Sequence, residues 1–252
     1  SGSITGSGAG TLTGTSYDVR SGSVSAILGG TSVALTKTTS GTVTLSGANS
    51  YTGATTVSAG TLQFAKQVAL YNNTPASWTD ANINVNNGGT IVLNVGGSGE
   101  FTTGDITTLL TNLASSGSAT TGMNAGSNIG FDTTNASGGT FTIADVITDT
   151  TGASGGARGV TKLGTGELVL TSSNAHTGTT TVKDGTLTLG HATDTLGSTS
   201  PVTVYGSGAI LAIGANSDTV GVVTLKSGSI TGTGGTLSGS SFVMESGSVT
   251  AI

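Results

Sequence analysis

The sequence predicts an all-β chain wound as a β-solenoid, and three observations predict it. The chain closes on a version of its opening segment, an internal stretch recurs farther along, and short alternating strands are cut throughout by glycine. Residues 1–27 align with 227–252 once one residue is inserted near Ala9, sharing TG, GTL and SGSV, with Tyr17 answering Phe242 and Val24 answering Val249. A tandem array cut at an arbitrary place shows this pattern, and a globular enzyme has no reason to.

The internal repeat joins residues 41–64 to 166–189 without gaps, a shift of 125 positions from 41 to 166. In the first copy Thr42 to Leu45 alternates polar and apolar, Ala54-Thr-Thr-Val follows, and Gly60-Thr-Leu-Gln-Phe closes the unit. Side chains two apart share a strand face, so Val43, Leu45, Val57, Leu62 and Phe64 point into one core. Leu168, Leu170, Val182, Leu187 and Leu189 repeat those positions. Gly47, Gly53 and Gly60 fall between the strands, where the chain must bend. A hairpin dipeptide occurs only at Asn87-Gly88, and proline only at Pro75 and Pro201. Stacked coils, each strand pairing with its equivalents above and below, therefore fit better than a sandwich of hairpins.

The stretch SGTVTLSGANSYTGATTVSAGTL resembles the autotransporter-associated β-strand repeat, also called the passenger-associated transport repeat. The pattern GxGxLxLxGxNxYxGxTxVxxGxL is met after Gly41 by Leu45, Gly47, Asn49, Tyr51, Gly53, Thr55, Val57, Gly60 and Leu62. The second copy meets it in Gly166, Leu168, Leu170, Asn174, Gly178, Thr180, Val182, Gly185 and Leu187, with Ser172 in place of glycine and His176 in place of tyrosine. The resemblance implies a right-handed parallel β-helix from an exported bacterial protein, extracellular or displayed on the outer cell surface. Members often carry a C-terminal translocator barrel. No such segment stands in this sequence, which is therefore expected to be a passenger fragment.

Residues 66–156 interrupt the simple texture. NINVNNGGTIVLNVGG, from Asn82, reads as two more coil strands with Ile83, Val85, Ile91, Leu93 and Val95 inward. The period then changes: Ile106, Leu109, Leu110 and Leu113 stand at i, i+3, i+4 and i+7, predicting a short amphipathic helix near 104–113. Thr103 or Gly104 is expected near its N-cap and Asp105 in its first turn. A loop follows to Asn128, after which IGFDTT and GGTFTIADVI return to strand pattern.

Chemistry is sparse. The formal charge is −5, and seven basic residues (Arg20, Lys37, Lys66, Arg158, Lys162, Lys183, Lys226) are scattered singly, which excludes a phosphate-binding patch and hence nucleic acid. No apolar run approaches the length of a membrane helix. Cysteine is absent, excluding disulfides and thiolate chemistry. His176 and His191 would need Asp184 or Asp194 to complete a metal site, and they are read instead as solvent-facing or corner residues. The twelve acids include no close pair of the kind polysaccharide-cleaving β-helices use; Asp145 and Asp149 come nearest, and Glu100 in GGSGEF is not part of a calcium-binding series. Asn49 and Asn174 precede turns, where stacked asparagines would bond the backbone and one another as a ladder.

The expectation is a single solenoid fragment over 1–252, of roughly ten coils, belonging to a longer array. Its function would be mechanical, a stiff extracellular stalk, fibre or filament, with no catalytic residues, no cofactor and no metal. Partners would be further repeat units or copies of itself, with no insertion of this fragment into a membrane. A second reading is an adhesin touching glycans or surfaces through the insert. Of Tyr51, Tyr71, Trp78 and Tyr205, the contact residue expected there is Trp78. A polysaccharide-degrading enzyme is the third.

Overall fold

The computed structural model describes residues 2–6 and 10–251. Ser1, Ser7, Gly8, Ala9 and Ile252, which belong to the repeated end segments, lie outside the described residues. The chain is a right-handed parallel β-helix, and the strand pairings described are parallel. It divides into two compact units. One comprises residues 1–94, 98–129 and 150–156, the other 95–97, 130–149 and 157–252.

In the first unit the coils before the insert turn through three strands, and those of the insert replace the second strand with turns or with the helix. One face stacks Gly2–Ile4, Gly22–Val24, Thr42–Leu45, Gly60–Phe64 and Gly89–Asn94. The second stacks Thr11–Thr13, Ile27–Gly30 and Ser50–Tyr51, and the third Ser16–Val19, Ala34–Lys37, Thr55–Val57, Ile83–Val85 and Gly122–Met123. Register is set by the apolar positions: Val43 pairs with Leu62 and Leu62 with Ile91, Leu45 with Phe64 and Phe64 with Leu93. These side chains are buried, as are Val57, Ile83 and Val85, and each contributes roughly 1.5–3 kcal/mol relative to exposure. A one-residue slip would turn every rung inside out, so the alternation fixes the winding.

The second unit follows the same logic with Thr140–Ile143, Glu167–Leu170, Thr186–Leu189, Ile210–Gly214, Ser229–Gly232 and Ser248–Val249 on one face. Leu168 pairs with Leu187 and Leu187 with Leu211, all fully buried. Among their described residues the repeated end segments each contain a parallel pair of strands from successive coils. In the first unit Ser3 pairs with Ser23 and Ile4 with Val24; in the second Ser229 pairs with Ser248 and Ile230 with Val249.

Within the insert the helix forms at Thr103–Asn112. Its N-cap is Thr102, not the expected Thr103 or Gly104. The Thr102 side chain accepts from the Asp105 N–H while the Asp105 carboxylate accepts from the Thr102 N–H, so both first-turn donors are satisfied one position earlier than the apolar period suggested. Ile106, Leu109, Leu110 and Leu113 are buried. The segment after the helix rejoins the third face, with Gly122 paired to Asn84 and Met123 to Val85: Asn124 Nδ2 donates to Asn84 Oδ1 at 3.1 Å and to Asn86 Oδ1 at 2.9 Å, and Ser116 Oγ donates to Asn124 Oδ1 at 2.6 Å. Asn84, outward on its strand, is thereby only 4 % exposed.

Trp78 is not a surface contact. It is 0 % exposed, its Nε1–H donates to the Leu70 carbonyl at 3.1 Å, and its ring lies 5.7 Å from that of Phe101. The insert covers it because an indole has far more apolar surface than a turn can leave in water. Leu70, so held, opens a run of three left-handed residues: Tyr71 at φ 50°, Asn72 at 50° and Asn73 at 52°. Left-handed backbone costs an L-residue roughly 1–2 kcal/mol, and a bulky tyrosine there is a true outlier.

Candidate functional site: the repeat corners

The two repeat copies share a buried lysine and an asparagine at equivalent corners. Lys37 and Lys162, 125 positions apart, are both 0 % exposed. Lys37 Nζ donates to the carbonyls of Thr39 and, at 3.1 Å, Ala59. Lys162 Nζ donates to those of Leu163 at 2.8 Å, Gly164 at 2.6 Å and Asp184 at 3.0 Å. Each ammonium thus fills the bend of its own coil and ties it to the next. Burial pushes the Lys162 amine down to about 8 against the opposing pull of Asp132 and Asp184, and lowers Lys37 likewise.

Gly60 and Gly185 make room for these bends. They adopt φ 66° and 59°, and a Cβ would stand 2.3 Å from the Thr39 carbonyl oxygen in one and 2.3 Å from that of Gly166 in the other. Asn49 and Asn174 serve as backbone rungs. Asn49 Oδ1 accepts from the Leu28 N–H at 2.9 Å and its Nδ2 donates to the Ala69 carbonyl at 2.8 Å. Asn174 Oδ1 accepts from Ile147 at 2.7 Å and its Nδ2 donates to Thr195 at 2.6 Å. Each ties the coil before to the coil after. The bonds described for these asparagines go to backbone, not to each other, because neighbouring coils offer main-chain groups at the same height.

The pattern's aromatic position is a third equivalence. The Tyr51 hydroxyl lies 2.8 Å from Thr55 Oγ1, and His176 Nε2 lies 2.8 Å from Thr180 Oγ1. Of the two expectations for His176, solvent-facing or corner, the first does not hold: the residue is interior, 0 % exposed.

The passenger-associated-transport-repeat family model matches residues 35–64 and 160–189, together about a quarter of the chain. The chain carries two passenger-associated transport repeats. Both begin upstream of the copies visible by eye, and so include Lys37 and Lys162. No curated protein and no solved structure matches the chain. Within the repeats Leu45, Val57, Leu62, Leu170, Val182 and Leu187 are fully buried, and Gly41, Gly47, Gly53, Gly166 and Gly178 each pass within 3 Å of a neighbouring coil at the position a Cβ would occupy. Ser172, replacing glycine in the second repeat, donates its hydroxyl to the Ala144 carbonyl at 2.7 Å.

Outside the repeats the acids stay apart. Among the described residues no three His, Asp or Glu side chains converge as metal ligands would. Glu100 is buried with Lys66 Nζ 3.8 Å away. Asp149 accepts from the Arg158 N–H and from both donors of Thr177. Burial pushes its pKa up, and those hydrogen bonds outweigh it and hold the carboxyl below its ordinary value.

Two buried groups set an acid response. Burial, then the nearby Arg158 charge, hold His176 down at about 4. Its neutral form favours the fold, so that stability is whole above pH 6.5 and is lost as pH falls toward 4, by at most about 3 kcal/mol. Asp218, 3 % exposed and raised by burial to about 6, acts oppositely: its contribution is greatest below 3.8 and is lost as pH rises to 6. Urea midpoints between pH 7 and 4.5 are expected to fall more in Asp218→Asn than in the parent, and least in His176→Tyr. A parental slope in His176→Tyr would remove the histidine from this account.

Proposed function

We propose that the chain is a scaffold: part of the stiff, exported stalk or fibre of a bacterial surface protein, built by repetition of coils. The observation that carries this is shared by the two transport repeats: in each, a buried lysine and an asparagine rung bond to a neighbouring coil and glycines let the coils pack closely. Polar groups spent on inter-coil bonds hold a winding. Passenger repeats of this family accord with a secreted or cell-surface location. Further repeat units or copies of the same chain are the partners such a scaffold takes. The glycan reading through Trp78 finds no support, since that ring is enclosed.

Negative-stain electron microscopy of the native material tests the scaffold. Filaments with an axial repeat matching one unit at about 4.8 Å per coil are expected; particles with no regular axial repeat at any concentration would count against it.

A further inference from the structure

The strained turn in the first unit forms one wall of a cavity of about 280 Å³, lined by Ser50, Tyr51, Thr52, Tyr71, Asn72, Thr74 and Ser77. We propose that this cavity is a binding site for one ring of a neutral saccharide. The lining offers hydroxyls, one carboxamide and the margins of two tyrosines, and no charged side chain. That chemistry suits a ligand rich in hydroxyl groups and free of formal charge. At about 280 Å³ the cavity lies just below the usual size of ligand pockets, which limits a ligand to about one ring.

The cavity is built to hold its shape. The Tyr51 and Tyr71 rings meet at 5.1 Å with planes 55° apart, and the Tyr71 hydroxyl donates toward the Asn82 carbonyl at 2.8 Å and accepts from Thr55 Oγ1 at 2.9 Å. Their polar atoms are engaged and their margins border the cavity. Trp78, through Leu70, holds the entry to the left-handed run, and the Asn73 N–H closes it on the same Leu70 carbonyl at 3.2 Å. Ser50, Thr52, Asn72 and Thr74 are exposed around the opening. Three consecutive non-glycine residues in left-handed backbone are unfavourable for folding alone, and such strain concentrates where a ligand is gripped. Asn72 places the only carboxamide of the lining there.

The inference goes beyond the scaffold reading and stands apart from it: a filament need not bind sugar, and sugar binding needs no filament. The test is saturation-transfer NMR of the intact chain with methyl glycosides of glucose, galactose, mannose and N-acetylglucosamine, and with glucuronate as the charged comparison. Binding of at least one neutral glycoside is expected, weakened at least tenfold in Asn72→Gly. Glycine accepts φ 50° without strain, so that variant removes the carboxamide while keeping the turn. Asn73→Gly relaxes the same turn outside the lining and is expected to raise the melting temperature with binding unchanged. Absence of neutral-sugar binding by the parent chain, undiminished binding by Asn72→Gly, or preference for glucuronate would each overturn the proposal.

Discussion

Replacing Trp78 with alanine is expected to destabilise the fold by about 3–5 kcal/mol, the cost of emptying a core site of that size. The change removes the ring packed on Phe101 and one of the two donors to the Leu70 carbonyl together, leaving that carbonyl with the Asn73 N–H. Urea denaturation followed by far-UV circular dichroism gives the magnitude. Because Trp78 is the chain's one tryptophan and wholly enclosed, parental emission should be blue-shifted when folded and move red on unfolding. Trp78→Phe should recover most of the loss. An alanine variant within 1 kcal/mol of the parent would mean that the insert does not pack as described.

Gly185→Ala is expected to cost about 3–4 kcal/mol, and Gly60→Ala a similar amount. In each, the new methyl meets a carbonyl oxygen at 2.3 Å, and the backbone sits at a positive φ that alanine resists. The same corner holds the lysine ammonium: the Gly164 oxygen that accepts from Lys162 Nζ lies 2.4 Å from the Gly185 methyl position. Pushing it away loosens two interactions at once. Gly88→Ala is the control, with φ 78° and no atom within 4 Å, and should cost only about 1 kcal/mol. Equal losses at Gly88 and Gly185 would show that backbone conformation alone, and not the approach of the next coil, makes glycine necessary.

The winding was legible because its cause is local. Alternation along Thr42–Leu45 and Gly60–Phe64 fixes which side chains enter the core, and the second copy repeats it position by position. The lysines were less visible. Nothing about Lys37 alone suggests burial, since the oxygens that receive it come from a bend and from the following coil. A signal was present nonetheless: Leu35-Thr-Lys and Val160-Thr-Lys extend the internal repeat upstream of Gly41 and Gly166. Trp78 and His176 were misread for a related reason. One stands in a turn beside Pro75 and the other at a corner, places that are normally wet, and what meets each comes from residues distant in sequence, Phe101 for one and the Ile147 carbonyl, which accepts from the His176 N–H, for the other.

The registers of the first unit also bear on how such a chain comes to be folded. Gly22 finds its partner at Gly2 and Val43 finds its own at Gly22, so before the insert a strand seeks a neighbour about twenty residues away. Loop closure over that distance is cheap and does not grow with the size of the whole. A chain delivered as an extended thread can therefore settle turn by turn, each finished turn presenting the surface on which the following one forms. Such a molecule can be lengthened by many repeats without becoming slower to order at its growing edge.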